Sequence, residues 1–112
     1  LERVDGEIDW SHSASEIARK VRAFHPWPSA YTYLAGKRFK ILGARVDKEN
    51  VFAPSARAAS GSVIGITAAH LSIATGKDCL NIYTVQLEGR KPLPISEFLK
   101  GRNIALGLRL GT

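Results

Sequence analysis

The chain has 112 residues, 45% hydrophobic and 23% charged, which suits one soluble domain and excludes both two ordinary domains and disorder throughout. Its net charge is +6, yet five of the ten acids (Glu2, Asp5, Glu7, Asp9, Glu16) fall in the first sixteen residues, so from Ile17 onward fifteen bases face five acids. A body this basic suits a polyanion, because each lysine or arginine set against a phosphate releases condensed counterions; the plainer alternative is a solvated basic surface.

No stretch approaches the roughly 18 apolar residues of a membrane span, and the mixed start Leu1–Asp5 is unlike a secretory signal. A single cysteine, Cys79, excludes an internal disulfide and a cysteine-rich zinc site and favours a reducing, cytoplasmic setting. The absence of any methionine, even an initiator, suggests a piece of a longer polypeptide, in which case an active site would lie in the remainder.

In chain order, Leu1–Ser11 has no sustained period and reads as a leader or interdomain linker, with Ile8 and Trp10 pinning its end onto a domain of residues 12–112. Ser13-Ala14-Ser15-Glu16 fits a capping box, and Ala14, Ile17, Val21 and Phe24 then recur at helical spacing, opposite Glu16, Arg19, Lys20 and Arg22. This amphipathic helix of about three turns ends at Phe24-His25-Pro26-Trp27-Pro28, where two prolines bias the residues before them away from the helical region and predict a stiff, extended corner.

Strand character follows at Tyr31–Leu34, then a turn at Ala35-Gly36, then a long strand over Arg38–Val46 whose apolar phase slips by one near Gly43. Asp47–Ser60 reads as a loop, Ser62–Thr67 and His70–Thr75 as a hairpin, and Cys79–Leu87 as a further long strand with a slip between Ile82 and Tyr83. Two mid-strand slips let a strand serve two sides of a curled sheet, so a barrel of about five strands is expected. Pro94–Gly101 reads as a short helix capped by Ser96, and Ile104, Leu106, Leu108 and Leu110 alternate as a closing strand or packed arm.

No catalytic set emerges. His12, His25 and His70 lack metal-ligand spacing, no phosphate-binding glycine fingerprint is present, and Cys79 reads as a small hydrophobe. Trp27 and the tyrosines could stack bases, but a tryptophan between two prolines at a helix–strand corner is expected to pack the helix onto the barrel. The functional candidates are basic: Lys37, Arg38 and Lys40 on one turn and strand, Arg90 and Lys91 on another turn, and Lys100 and Arg102 flanking the end of the short helix.

Taken together, Asp5–Ser11, Ile17–Arg22, Arg22–Thr32, Gly36–Ile41, Gly61–Val63, Gln86–Leu93 and Phe98–Arg102 resemble, in order, the C-terminal domain of methionyl-tRNA formyltransferase. His25 stands where that family usually has asparagine, and Ser29 where glycine is common. The related C-terminal module of sugar-nucleotide formyltransferases, acting structurally between domains, is the alternative.

The resemblance implies a mainly β fold: an OB-like small barrel with an N-terminal amphipathic helix and a short C-terminal helix. It implies that the formyl donor 10-formyltetrahydrofolate and the catalytic asparagine, histidine and aspartate belong to an N-terminal formyltransferase domain, with no cofactor in this chain. It also implies that the domain holds initiator methionyl-tRNA through phosphate contacts, for which Lys37, Arg38, Lys40, Arg90, Lys91 and Arg102 are the candidates. Trp10, Phe24, Pro26, Trp27, Pro28 and Tyr31 form the structural signature. On this reading Trp27→Ala costs stability more than tRNA contact.

Overall fold

The structure, a computed structural model, describes residues 6–48 and 58–111. Most of the segment expected to loop between Asp47 and Ser60 therefore lies outside the described residues, as do Leu1–Asp5 of the expected leader.

The helix α1 spans Ala14–Ala23, and Ser13 caps it: its hydroxyl accepts from the Glu16 amide at 3.2 Å and donates to Glu16 Oε1, also at 3.2 Å. The capping is thus one-sided, with the glutamate held by the serine hydroxyl, while the Ala14 amide donates to the Lys77 carbonyl. Ala14, Ile17, Ala18 and Val21 are buried against the sheet.

Six strands follow: β1 (Ala30–Leu34), β2 (Lys37–Asp47), β3 (Val63–Ile66), β4 (Leu71–Ala74), β5 (Cys79–Leu87) and β6 (Leu93–Pro94). They form one antiparallel sheet in the order β1-β2-β5-β4-β3, with β6 added to β5. The β1–β2 turn is built from Ala35 (φ 50°) and Gly36 (φ 81°), the two consecutive left-handed residues that match the twist of a tight hairpin.

Both expected slips are present, and they lie opposite one another. Ile41 pairs with Val85, Gly43 with Thr84 and Ala44 with Ile82, so Leu42 and Tyr83 both drop out of the ladder. At this point β5 changes partners: its first half, Cys79–Ile82, pairs with β4, and Thr84 and Val85 pair with β6. The irregularity is what lets one strand serve two neighbours.

Strand pairing leaves this sheet open. The gap between the edges of β3 and β1 is bridged by the C-terminal tail: the Leu110 amide donates to the Gly61 carbonyl and the Gly111 amide to the Tyr33 carbonyl, each at 2.8 Å. The tail is therefore an arm carrying an isolated bridge, Ser62–Arg109, and its alternation breaks at Leu106, which is 67% exposed within a turn.

The short helix, α2, spans Ile95–Phe98 with Pro94 at its N-cap, so Ser96 lies inside it and does not cap it. Pro94 takes that place because a proline has no amide to leave unpaired at a helix start. Gly101, at φ 75°, ends the turn that follows.

The residues before α1 are docked. The Ile8 amide donates to the Tyr31 carbonyl at 2.8 Å, and Trp10, 6% exposed, donates from Nε1 to Thr32 Oγ1 at 2.9 Å. Gly76 meets this segment at backbone distance, its amide donating to the His12 carbonyl at 2.9 Å.

The corner differs from its expectation in two ways. Phe24–Pro28 is a turn rather than an extended run, closed by the Ser29 amide donating to the Phe24 carbonyl at 2.8 Å and the Ser29 hydroxyl donating to the Pro26 carbonyl at 3.0 Å. Pro28 is buried, but Trp27 is 62% exposed and does not pack the helix onto the sheet. The turn pairs the Phe24 and Pro26 carbonyls with Ser29 and buries Pro28, while Trp27 is left exposed.

Candidate functional site

Along β2, Phe39 and Ile41 turn into the core, so the alternating Arg38 and Lys40 face away from it. Across the ladder Lys40 pairs with Gln86, and one step on the Glu88 amide donates to the Arg38 carbonyl at 2.8 Å. The Arg38 amide donates in turn to Glu88 Oε1 at 3.3 Å. On the other side, β1 sets Tyr31 opposite Lys40 and Tyr33 opposite Arg38.

These residues and the corner enclose a groove of about 460 Å³. Trp27 and Pro28 come from the corner, Tyr31 from β1, Arg38 and Lys40 from β2, and Gln86 to Gly89 from the end of β5 and its turn. The Arg38 guanidinium lies over the Tyr31 ring, 4.7 Å from its centroid, a cation–π contact that fixes its plane. Tyr33 packs edge-on against Tyr31 at 5.8 Å, and burial pushes the Tyr31 phenol up, so it stays neutral.

The turn after β5 brings in the second basic pair. The Arg90 amide donates to the Leu87 carbonyl at 2.9 Å, and Gln86 Nε2 donates to the Arg90 carbonyl at 2.9 Å, which holds the exposed Arg90 and Lys91 just beyond the groove-lining Gly89. Five of the six residues expected to contact phosphate thus belong to one end of the β2–β5 ladder: Arg38 and Lys40 line the groove, Lys37 is exposed at the start of β2, and Arg90 and Lys91 are exposed just after β5.

Arg102 stands apart. Its guanidinium lies over the Phe98 ring on α2, 4.7 Å from the centroid, and Lys100 pairs with Glu97 at 3.2 Å. Neither residue lines the groove.

Among the signature residues, Trp10 and Tyr31 are buried and Phe24 is half-buried, whereas Pro26 and Trp27 are exposed. Gln86 and Glu88 were not singled out from the sequence, although their alternation with Val85 and Leu87 marks the outward face of β5. A second aromatic–basic group was also missed. Near the irregularity, Tyr83 lies 5.2 Å from the His70 ring, with the Arg45 guanidinium 5.8 Å from its centroid. It forms because Tyr83 leaves the ladder, which the sequence signals only as a slip.

Cys79 is buried, its thiol pushed up to about 11 chiefly by burial and secondly by Asp47, so it is a poor nucleophile near neutral pH. Among the described residues no group of three or more His, Cys, Asp or Glu side chains could hold a metal ion, and no helix is long and apolar enough to cross a membrane.

Comparison with known proteins gives a consistent picture. Residues 1–103 match the family model for the C-terminal domain of formyl transferases. The methionyl-tRNA formyltransferase of Bdellovibrio bacteriovorus is 37% identical over 99% of this chain and 34% of its own length. That of Roseiflexus castenholzii is 40% identical over 99% of this chain and 34% of its own. The chain therefore spans about a third of the length of these curated relatives. Among solved structures, HypX from Aquifex aeolicus in complex with tetrahydrofolic acid superposes with a TM-score of 0.68 at 20% identity, covering 96% of this chain and 21% of that one. A multiply substituted variant of HypX gives the same TM-score at 22% identity, over 94% of this chain and 19% of that one. At such identity the likeness is one of fold.

Proposed function

We propose that this chain, which belongs to the family of formyl transferase C-terminal domains, is the part of a methionyl-tRNA formyltransferase that holds its tRNA. The observation that carries this reading is the gathering of Lys37, Arg38, Lys40, Arg90 and Lys91 at one end of the β2–β5 ladder, on a chain of net charge +6. Five cations, three along one strand and two on the hydrogen-bonded turn after β5, make a surface for phosphates, which positions a nucleic acid without reading its sequence. Arg102, stacked on Phe98 and away from the groove, contributes less.

In the longer protein, an N-terminal domain would transfer the formyl group from 10-formyltetrahydrofolate to initiator methionyl-tRNA. The contribution of this domain would be proximity, keeping the aminoacyl end where the reaction occurs. The groove does not fit the formyl-donor site itself: its lining contains no histidine, asparagine or aspartate. No step of the transfer is assigned to these residues. A cytoplasmic location belongs to the same reading.

The test is a titration of the chain with initiator methionyl-tRNA at 50 and 200 mM salt. Five phosphate contacts predict a loss of affinity of roughly a hundred- to five-hundredfold between the two. Arg90→Ala with Lys91→Ala should weaken binding and flatten the salt dependence by about two phosphate contacts. Equal affinity at both salts would overturn the phosphate account. Absence of binding at low salt would favour a structural module of a sugar-nucleotide formyltransferase instead.

A further inference from the structure

The two tryptophans of the chain are treated differently by the fold. Trp10 is 6% exposed with its indole N–H bonded to Thr32, whereas Trp27 is 62% exposed and, among the described residues, is the one aromatic side chain on the open surface. Leaving so large a ring in water forgoes burial that would stabilise the fold, yet the ring is held on a turn closed by two hydrogen bonds from Ser29. The ring is displayed on a backbone that the turn holds in place.

What surrounds it has a definite polarity. Arg38 and Lys40 supply positive charge on β2, with Arg38 oriented by Tyr31. Directly beside them on β5 stand the Gln86 amide, opposite Lys40, and the Glu88 carboxylate, one oxygen of which accepts the Arg38 amide, while Trp27 and Tyr31 lie on the β1 side. A bare phosphate is repelled by Glu88 and attracted by Arg38 and Lys40. A base is suited to the span over the central strand, β2, where Trp27 offers a π-face from one side and Gln86 and Glu88 offer acceptors for ring and exocyclic N–H groups from the other. The groove, about 460 Å³, lies in the range of small-ligand sites and is large enough for one nucleoside. A base inside a duplex shows neither its face nor its pairing edge, so the occupant must be unpaired.

We propose that this groove takes one unpaired nucleotide of an RNA strand, its base stacked on Trp27 with its edge toward Gln86 and Glu88 and its phosphate on Arg38 and Lys40. The site rests on the reading of the β2–β5 end as a phosphate-binding surface and adds to it a preference for single-stranded over duplex RNA.

The experiment titrates the chain with a single-stranded RNA octamer and with an RNA duplex of the same length, for the unsubstituted chain, Trp27→Ala, Trp27→Phe and Arg90→Ala/Lys91→Ala. Trp27→Ala should weaken octamer binding about tenfold, leave duplex binding unchanged and leave the salt dependence of both unchanged. Trp27→Phe, which keeps a ring, should recover most of that loss. Indole emission should be quenched as the octamer saturates the unsubstituted chain, and this quench should vanish in Trp27→Phe. Arg90→Ala/Lys91→Ala should weaken octamer and duplex alike. Unchanged octamer binding by Trp27→Ala, with weakened binding by the Arg90/Lys91 variant, would overturn the stacking site and leave the phosphate surface standing. If the unsubstituted chain bound neither RNA, both would be overturned.

Discussion

Trp10 and Trp27 lie in regions built on opposite principles. Around Trp10, the chain before α1 and the C-terminal tail meet over the open side of the sheet: the indole bonds Thr32, and Gly61 and Gly111 approach the ring closely. Apolar area is removed from water there, and every backbone group named has a partner. Around Trp27, an equally large ring is left exposed beside two cations and a carboxylate. Small elements at close range seal the first region, while the second spends burial to keep a surface accessible. The difference separates residues that hold this fold from residues it presents.

The largest expected effect is on the sealed side. Trp10→Ala removes a buried ring and its hydrogen bond and should cost about 3–5 kcal/mol in urea unfolding. A loss below about 1 kcal/mol would show that the seam is not what joins the two edges of the sheet. Gly76→Ala should come next. A Cβ there would run into the Ser11 carbonyl, which is backbone and cannot swing aside, so a loss of about 1–3 kcal/mol is expected by the same measurement.

How much of this was legible in the sequence follows the range of the interactions involved. The Ser13 cap, the helical spacing through Val21 and the hairpin turns depend on neighbours a few residues away and were readable. The slips at Gly43 and Tyr83 were visible as broken alternation, although that they would face one another was not. Convergence of Lys37–Lys40 with Arg90-Lys91 needs the register of β2 on β5, two strands separated by the whole of β3 and β4, and no local pattern encodes it. Trp27 misled for a physical reason: flanking prolines fix the local backbone but do not decide which side of it meets the core. Ser96 misled because Pro94 already filled the cap position.

A smaller, pH-dependent effect belongs to the buried side. The Cys79 thiol, ordinarily near 9.0, is pushed up to about 11 in the folded chain, principally by burial. The unfolded chain therefore releases this proton first. The stability the thiol contributes is complete below about pH 9 and declines as pH rises through 9 toward 11, by up to one proton in slope. The difference in stability between the unsubstituted chain and Cys79→Ala, followed from pH 8 to 11, should shrink across that window. A constant difference would mean that the thiol is as well solvated as in the unfolded state.

The smallest expected change in stability is that of Trp27→Ala, within about 0.5 kcal/mol, because an exposed ring leaves no cavity. The same substitution separates a presented ring from a structural one, so its thermal midpoint and its affinity for single-stranded RNA should be measured side by side. The midpoint should stay within about 2 °C of the unsubstituted chain while binding weakens about tenfold. A midpoint lowered by many degrees with affinity retained would contradict this expectation and return Trp27 to the role of a structural clamp.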